Sequence, residues 1–260
     1  MINSINPLKL GDTVLIITPA KAIDKKDIDH AVELFESWGL KVEIGSFALG
    51  RHHYFSGTDE ERRADLQWAL DHTYAKAIVC ARGGYGTIRI VDEVDYTLFS
   101  KQPKWIVGFS DVTVLHNKVH RDLMFPSIHA VAPLYFDQLD SSSDTLTTLK
   151  SALMGEKYQI KFPSTKYNNV GVATGILVGG NLAIFESLIG TKLDIDTTDK
   201  ILFIEDVSEY AYKLDRMLWS MKYSGKLDHI AALIIGGLTD IKKSEETFGC
   251  TIEELVLNVL

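Results

Sequence analysis

The chain has 260 residues, 46% of them hydrophobic and 24% charged, with a formal net charge of −8 from 35 acidic and 27 basic side chains. That length supports one large or two small packed domains, and acidic charge spread along the whole sequence disfavours a nucleic-acid or anionic-membrane surface. Two cysteines, Cys80 in an apolar run and Cys250 far from it, argue against a disulfide framework and for a reducing compartment.

The opening residues Met1-Ile2-Asn3-Ser4-Ile5-Asn6-Pro7 carry neither a basic n-region nor an apolar h-region. No later segment reaches the roughly 18 uninterrupted apolar residues of a membrane span, so a cytoplasmic location is expected. An apolar run over residues 14–18, a helical pattern over 25–38 closed by Gly39, and a run over 42–44 give βαβ punctuation. Thr58-Asp59-Glu60-Glu61 reads as a capping box ahead of a helix through Leu66, Ala69 and Leu70. Runs over 77–81 and 105–108 read as buried strands, so a parallel sheet with helices on both faces is expected. Asp140-Ser141-Ser142-Ser143-Asp144 caps a helix ending at Gly155, and residues 156–170, weakly periodic and containing Pro163, read as a linker between domains over 1–155 and 171–260.

The second domain is expected to hold strands over 173–178, 201–204 and 230–235, a helix from Asn181, and a helix over 210–223 closed by Gly225. Thr251-Ile252-Glu253-Glu254 is another capping box, opening a helix with Ile252, Leu255, Val256 and Leu260 on one apolar face. That helix has no glycine, proline or basic closing turn, and the expectation is a C-terminal domain cut off in mid-helix.

The segment Lys104-Trp105-Ile106-Val107-Gly108-Phe109-Ser110-Asp111-Val112 runs an apolar strand into a sharp Gly-x-Ser-Asp corner. A serine on such a turn has its hydroxyl held out of the sheet beside the unpaired, positively polarised N–H groups of the next helix, which are the parts acyl transfer needs. Val112 replaces the second glycine of the hydrolase elbow, and a Ser-Asp pair after a strand also serves as a simple helix cap. Three glycine-bearing turns are expected after strands: Arg82-Gly83-Gly84-Tyr85-Gly86, Gly179-Gly180-Asn181 and Gly236-Gly237. None carries a phosphate-binding or dinucleotide pattern. Gly179 and Gly236 read as turn-formers, whereas Gly83-Gly84 offers bare N–H groups suited to an oxyanion.

Glu205, at the end of the 201–204 run and followed by Asp206, either favours the start of the next helix or orients an imidazole. The eight histidines are His30, His52, His53, His72, His116, His120, His129 and His229. His116 and His120, spaced i and i+4, are expected to point along the helix after Ser110 and lack a third metal ligand, while His129 alone lies at a strand end on the active edge.

Taken together and in order, Cys80-Ala81-Arg82-Gly83-Gly84-Tyr85-Gly86, Gly108-Phe109-Ser110-Asp111-Val112-Thr113, Gly179-Gly180-Asn181-Leu182, and Ile204-Glu205-Asp206-Val207 leading to Tyr212-Lys213-Leu214-Asp215-Arg216-Met217-Leu218 are similar to a known family over the whole chain. The chain resembles the serine L,D-carboxypeptidases of bacterial cell-wall recycling, which also include the microcin-immunity amidases. The resemblance implies an α/β fold, with a flavodoxin-like parallel sheet in the N-terminal domain and a smaller α/β C-terminal domain, in a homodimer without metal or other cofactor. It further implies a Ser-Glu-His triad with Ser110 as nucleophile and Glu205 as carboxylate, and an oxyanion hole from the backbone N–H groups of Gly83, Gly84 and Asp111. The triad histidine is implied in a Gly-His segment beyond the helix that begins at Thr251, so these 260 residues are expected to be nearly inert, since losing such a histidine costs on the order of 10⁶ in kcat.

The implied substrate is a muropeptide tetrapeptide that loses its terminal D-alanine. Within the family the alternative is an amidase acting on a microcin-like aminoacyl or peptidyl nucleotide, and from another class it is a non-catalytic peptide-binding protein.

Overall fold

Thr13, Val14, Leu15, Ile16 and Ile17 are buried without interruption, because a parallel strand covered on both faces has no solvent side on which to alternate. They form β1 (Thr13–Ile17) in a computed structural model that describes residues 2–243, 246 and 248–260. The chain divides into two compact units, Met1–Gln159 and Ile160–Leu260.

In the first unit, chain order is β1, α1 (Lys25–Ser37), β2 (Lys41–Ile44), α2 (Asp59–Asp71), β3 (Ala75–Cys80), α3 (Thr97–Lys101), β4 (Trp105–Gly108), α4 (Thr113–Leu123), β5 (Ile128–His129) and α5 (Asp144–Met154). The five strands are parallel in the order β2-β1-β3-β4-β5. This is the flavodoxin-like order, in which strand direction of travel reverses between β1 and β3 and a crevice opens at their carboxyl ends. Val14, Ile16, Ala77 and Val79 share a core with Ile28, Ala31 and Phe35 of α1 and Leu146, Leu149 and Leu153 of α5. Each such fully buried large side chain contributes about 1.5–3 kcal/mol. The Thr58 capping box closes in both directions: the Thr58 N–H donates to Glu61 Oε2 at 2.8 Å and the Glu61 N–H to Thr58 Oγ1 at 3.3 Å. At the other end of the unit, Gly155 ends α5 in the left-handed conformation, φ 72°.

The second unit holds β6 (Leu177–Asn181), α6 (Leu182–Ser187), β7 (Ile201–Val207), α7 (Ala211–Tyr223), β8 (Ala232–Thr239) and α8 (Ile252–Val259). Its smaller sheet is also parallel, in the order β6-β7-β8. Leu182, Phe185, Leu202, Ile204, Leu214, Leu218, Leu255 and Val256 form its core.

Three expectations need correction here. Gly179-Gly180 and Gly236-Gly237 are not turns but lie inside β6 and β8. A Cβ on Gly179 would stand 1.8 Å from the Phe203 carbonyl oxygen, and one on Gly236 would stand 2.8 Å from the Phe203 ring, so these glycines let neighbouring strands close around Phe203. The strand expected over 173–178 accordingly begins at Leu177. On α8, Leu260 is 62% exposed, and Val259 completes the i, i+3, i+4, i+7 face begun by Ile252, Leu255 and Val256.

Candidate active site

β4 ends at Gly108, Phe109 is extended, and Ser110 then takes φ 59°, a left-handed conformation rare for a side chain other than glycine or asparagine. The Val112 N–H closes the corner on the Phe109 carbonyl at 3.2 Å, and a 3₁₀ turn, Ser110–Val112, leads directly into α4. Ser110 thus stands half-buried where a strand becomes a helix, at the carboxyl edge of the sheet.

The Gly83-Gly84 turn after β3 faces this corner. A Cβ on Gly83 would lie 3.2 Å from Ser110 Oγ and from the Phe109 carbonyl oxygen, close enough that the serine corner would have to give way to admit it. On Gly84, at φ 116°, a Cβ would instead stand 2.7 Å from Lys21 Cβ and 3.0 Å from the Tyr54 hydroxyl. Neither glycine N–H donates to a backbone carbonyl among the described residues. Asp111 is buried, and its Oδ2 accepts the Thr87 N–H at 2.9 Å, which ties the turn after β3 to the serine corner. Arg62, also buried, supports the same turn from below by donating to the carbonyls of Pro19 at 2.6 Å and Gly86 at 3.0 Å.

The expected direction of His116 is corrected by the structure. Its ring turns back, and Nε2 lies 2.9 Å from the Gly108 carbonyl, which makes Nε2 the protonated donor and leaves Nδ1 buried with no hydrogen-bond partner. Burial pushes its pKa down to about 4, against the raising effect of the Gly108 bond. His129 pairs with Gly108 across β4 and β5 and packs edge-on to Phe109 at 6.3 Å. Its pKa is pushed down to about 3 by burial and by neighbouring His116.

In the second unit, Glu205 does not end its strand. β7 runs on to Val207, Glu205 pairs with Asn181 of β6, and the register against β8 shifts between Ile204 and Asp206. Burial, then the charge of Asp206, pushes the Glu205 carboxyl up to about 7, while a hydrogen bond from Asn181 opposes the shift. Asn181 also donates to Asp206 Oδ1 at 3.0 Å and caps α6 by accepting the Ile184 N–H at 3.1 Å. Asp206 Oδ2 takes the Ala183 N–H at 2.9 Å.

The structure brings Gly83, Ser110 and Asp111, residues the resemblance implied, to one corner of the first unit, with Gly84 next to it. Sequence reasoning missed the structural parts played by Asp111, Arg62 and His116, whose partners lie 24, 43 and 8 residues away in the chain. The one available signal was a charged or polar residue in an otherwise apolar stretch, which requires a buried partner.

Residues 14–130 match the LD-carboxypeptidase N-terminal domain, and residues 174–260 match the LD-carboxypeptidase C-terminal domain. The chain belongs to the LD-carboxypeptidase family, the S66 serine peptidases. A protein of Bacillus subtilis (strain 168) named a probable murein peptide carboxypeptidase is 37% identical over 239 residues, covering 88% of this chain and 72% of that protein. The crystal structure of muramoyltetrapeptide carboxypeptidase from Oxalobacter formigenes superposes with a TM-score of 0.84 at 28% identity, covering 95% of this chain and 84% of that one. The microcin C7 self-immunity protein MccF has the same fold, with a TM-score of 0.83 at 21% identity over 100% of this chain and 86% of its own.

Proposed function

We propose that the protein is a serine L,D-carboxypeptidase that releases the terminal D-alanine from muropeptide tetrapeptides in peptidoglycan recycling. The observation that carries this reading is the left-handed Ser110 corner set against a glycine turn where a side chain on Gly83 would crowd the serine, in a chain of the LD-carboxypeptidase family. Ser110 attacks the carbonyl between the L-centre (L-lysine or diaminopimelate) and D-alanine, and the N–H groups of Gly83, Gly84 and Asp111 stabilise the tetrahedral oxyanion. An imidazole takes the serine proton and passes it to the leaving amine, while Glu205 holds that imidazole in the right tautomer.

The histidine of this triad is none of the eight in the sequence. His116 donates its Nε2 proton to the Gly108 carbonyl and His129 packs edge-on to Phe109, contacts that speak against either as the base. We propose that a residue other than these eight supplies the base, and that these 260 residues alone turn over little substrate. The active form acts as a cytoplasmic homodimer on soluble recycled peptides.

The test is mass-spectrometric detection of D-alanine released from L-Ala-γ-D-Glu-L-Lys-D-Ala and its diaminopimelate counterpart. The 260-residue chain is assayed beside a C-terminally extended form and the Ser110→Ala variant of that form. Release by the extended form alone is expected. Turnover by the 260-residue chain would overturn the placement of the base, turnover by Ser110→Ala the nucleophile, and no release by any form the carboxypeptidase reading itself.

A further inference from the structure

Five of the six arginines in the first unit are paired with carboxylates: Arg51 with Asp24, Arg62 and Arg89 with Asp59, Arg63 with Glu93, and Arg121 with Asp122. Arg82 is the exception among the described residues. It immediately precedes Gly83, is half-buried, and donates only to the Ala22 carbonyl, at 2.9 Å. Beside it, Lys21 is equally half-buried and has no carboxylate partner among the described residues.

Lys21 is fixed to the glycine turn at both ends. Its backbone N–H donates to the Gly83 carbonyl at 3.4 Å, and its Cβ would lie 2.7 Å from a Cβ on Gly84. Its ammonium rests 5.0 Å from the Tyr54 ring centroid, while the Tyr54 hydroxyl would lie 3.0 Å from that same Gly84 Cβ. The two glycines therefore have different neighbours: Gly83 borders the serine, and Gly84 borders the aliphatic stem of Lys21 and the Tyr54 hydroxyl, with the Lys21 ammonium over the Tyr54 ring. Leaving two partly desolvated cations without counter-charge in a protein of net charge −8 is a cost that an anionic ligand removes.

We propose that Lys21, with Arg82 beside it, binds the free C-terminal carboxylate of the peptide substrate and so restricts cleavage to the last residue. This rests on the carboxypeptidase reading above. In a substrate cut before its final residue, the scissile carbonyl and the terminal carboxylate belong to consecutive residues, whose Cα atoms are about 3.8 Å apart. Gly83 and Gly84 are also consecutive, so a carbonyl held at Ser110 over the first brings the carboxylate alongside the second. The Tyr54 ring holds the lysine in place before substrate arrives.

The experiment uses the protein carrying Ser110→Ala, so that binding is read without turnover. Calorimetric affinities are compared for L-Ala-γ-D-Glu-L-Lys-D-Ala and the same peptide with a C-terminal amide. The acid is expected to bind about 10- to 100-fold more tightly than the amide, as a charge-assisted contact requires. Adding Lys21→Met should bring that ratio close to one, Lys21→Arg should preserve most of it, and Arg82→Met should lower it in part. In the unaltered pocket the ratio should also shrink as salt rises, a readout that needs no lysine variant. Equal affinity for acid and amide, a ratio insensitive to salt, or a ratio retained by Lys21→Met overturns the assignment alone. Failure to bind either peptide overturns both the assignment and the function it rests on.

Discussion

Gly83 lies so close to Ser110 that a methyl group on it would stand 3.0 Å from the serine Cβ and 3.2 Å from Oγ. Contacts of that length oblige one side to move, and the serine, already in a strained left-handed conformation, has little room to do so. Under the proposed function, Gly83→Ala is therefore expected to fold but to lower kcat for D-alanine release by about 10²-fold. A displaced N–H donor in an oxyanion site costs about that much. Near wild-type turnover would show that the Gly83 turn takes no part in the reaction.

Asp111 reaches from the serine corner to the Thr87 N–H, with both groups buried. Asp111→Ala would leave a buried donor unsatisfied, at a cost of about 1–3 kcal/mol. Asp111→Asn keeps an acceptor oxygen in place and should recover most of that loss. Urea denaturation of the two variants beside wild type checks this, and equal stability of all three would mean that the bond contributes nothing measurable.

Much of this frame was legible because its signals are local. The uninterrupted run of β1, the Thr58 box and the Gly155 stop each express their cause within a few residues. The serine corner was legible for the same reason, as an apolar strand meeting Gly-x-Ser-Asp. What escaped depended on partners distant in sequence. Gly179 and Gly236 look like punctuation until Phe203 is seen packed between their strands. Glu205 looks like a strand end until Asn181 pairs with it from β6 and β7 continues. His116 looks like half of an i, i+4 pair until its ring is seen on the Gly108 carbonyl, a contact that exists only because α4 folds back along β4.

The raised pKa of Glu205 gives a pH test that does not depend on catalysis. In the folded protein the carboxyl keeps its proton up to about 7, whereas the ordinary value of 4.5 applies when the chain is unfolded. Between those values the native state binds more protons, so this residue's contribution to stability declines as pH rises from 4.5 through 7. Glu205→Gln cannot ionise and should escape the decline, gaining roughly 1–3 kcal/mol on wild type between pH 4.5 and 8 once residual exposure is allowed for. Urea midpoints of both proteins across that range decide it, and a difference independent of pH would mean the carboxyl is not shifted.

The opposite sign applies at the serine corner. His116 and His129 are pushed down to about 4 and about 3, so in the folded protein both stay neutral where an unfolded histidine titrates, near 6.5. Between those values the unfolded chain binds more protons, so the stability these residues provide is whole above 6.5 and drains away as pH falls toward 4. His116→Gln retains an N–H for the Gly108 carbonyl but has no proton to take up, and so should lose roughly 2–3 kcal/mol less than wild type on going from pH 7 to pH 4. His116→Phe also removes the titration but leaves the Gly108 carbonyl without its ring donor, so it should be less stable than His116→Gln at every pH. Parallel loss of stability in wild type and His116→Gln over this range would place the acid-sensitive group elsewhere in the fold.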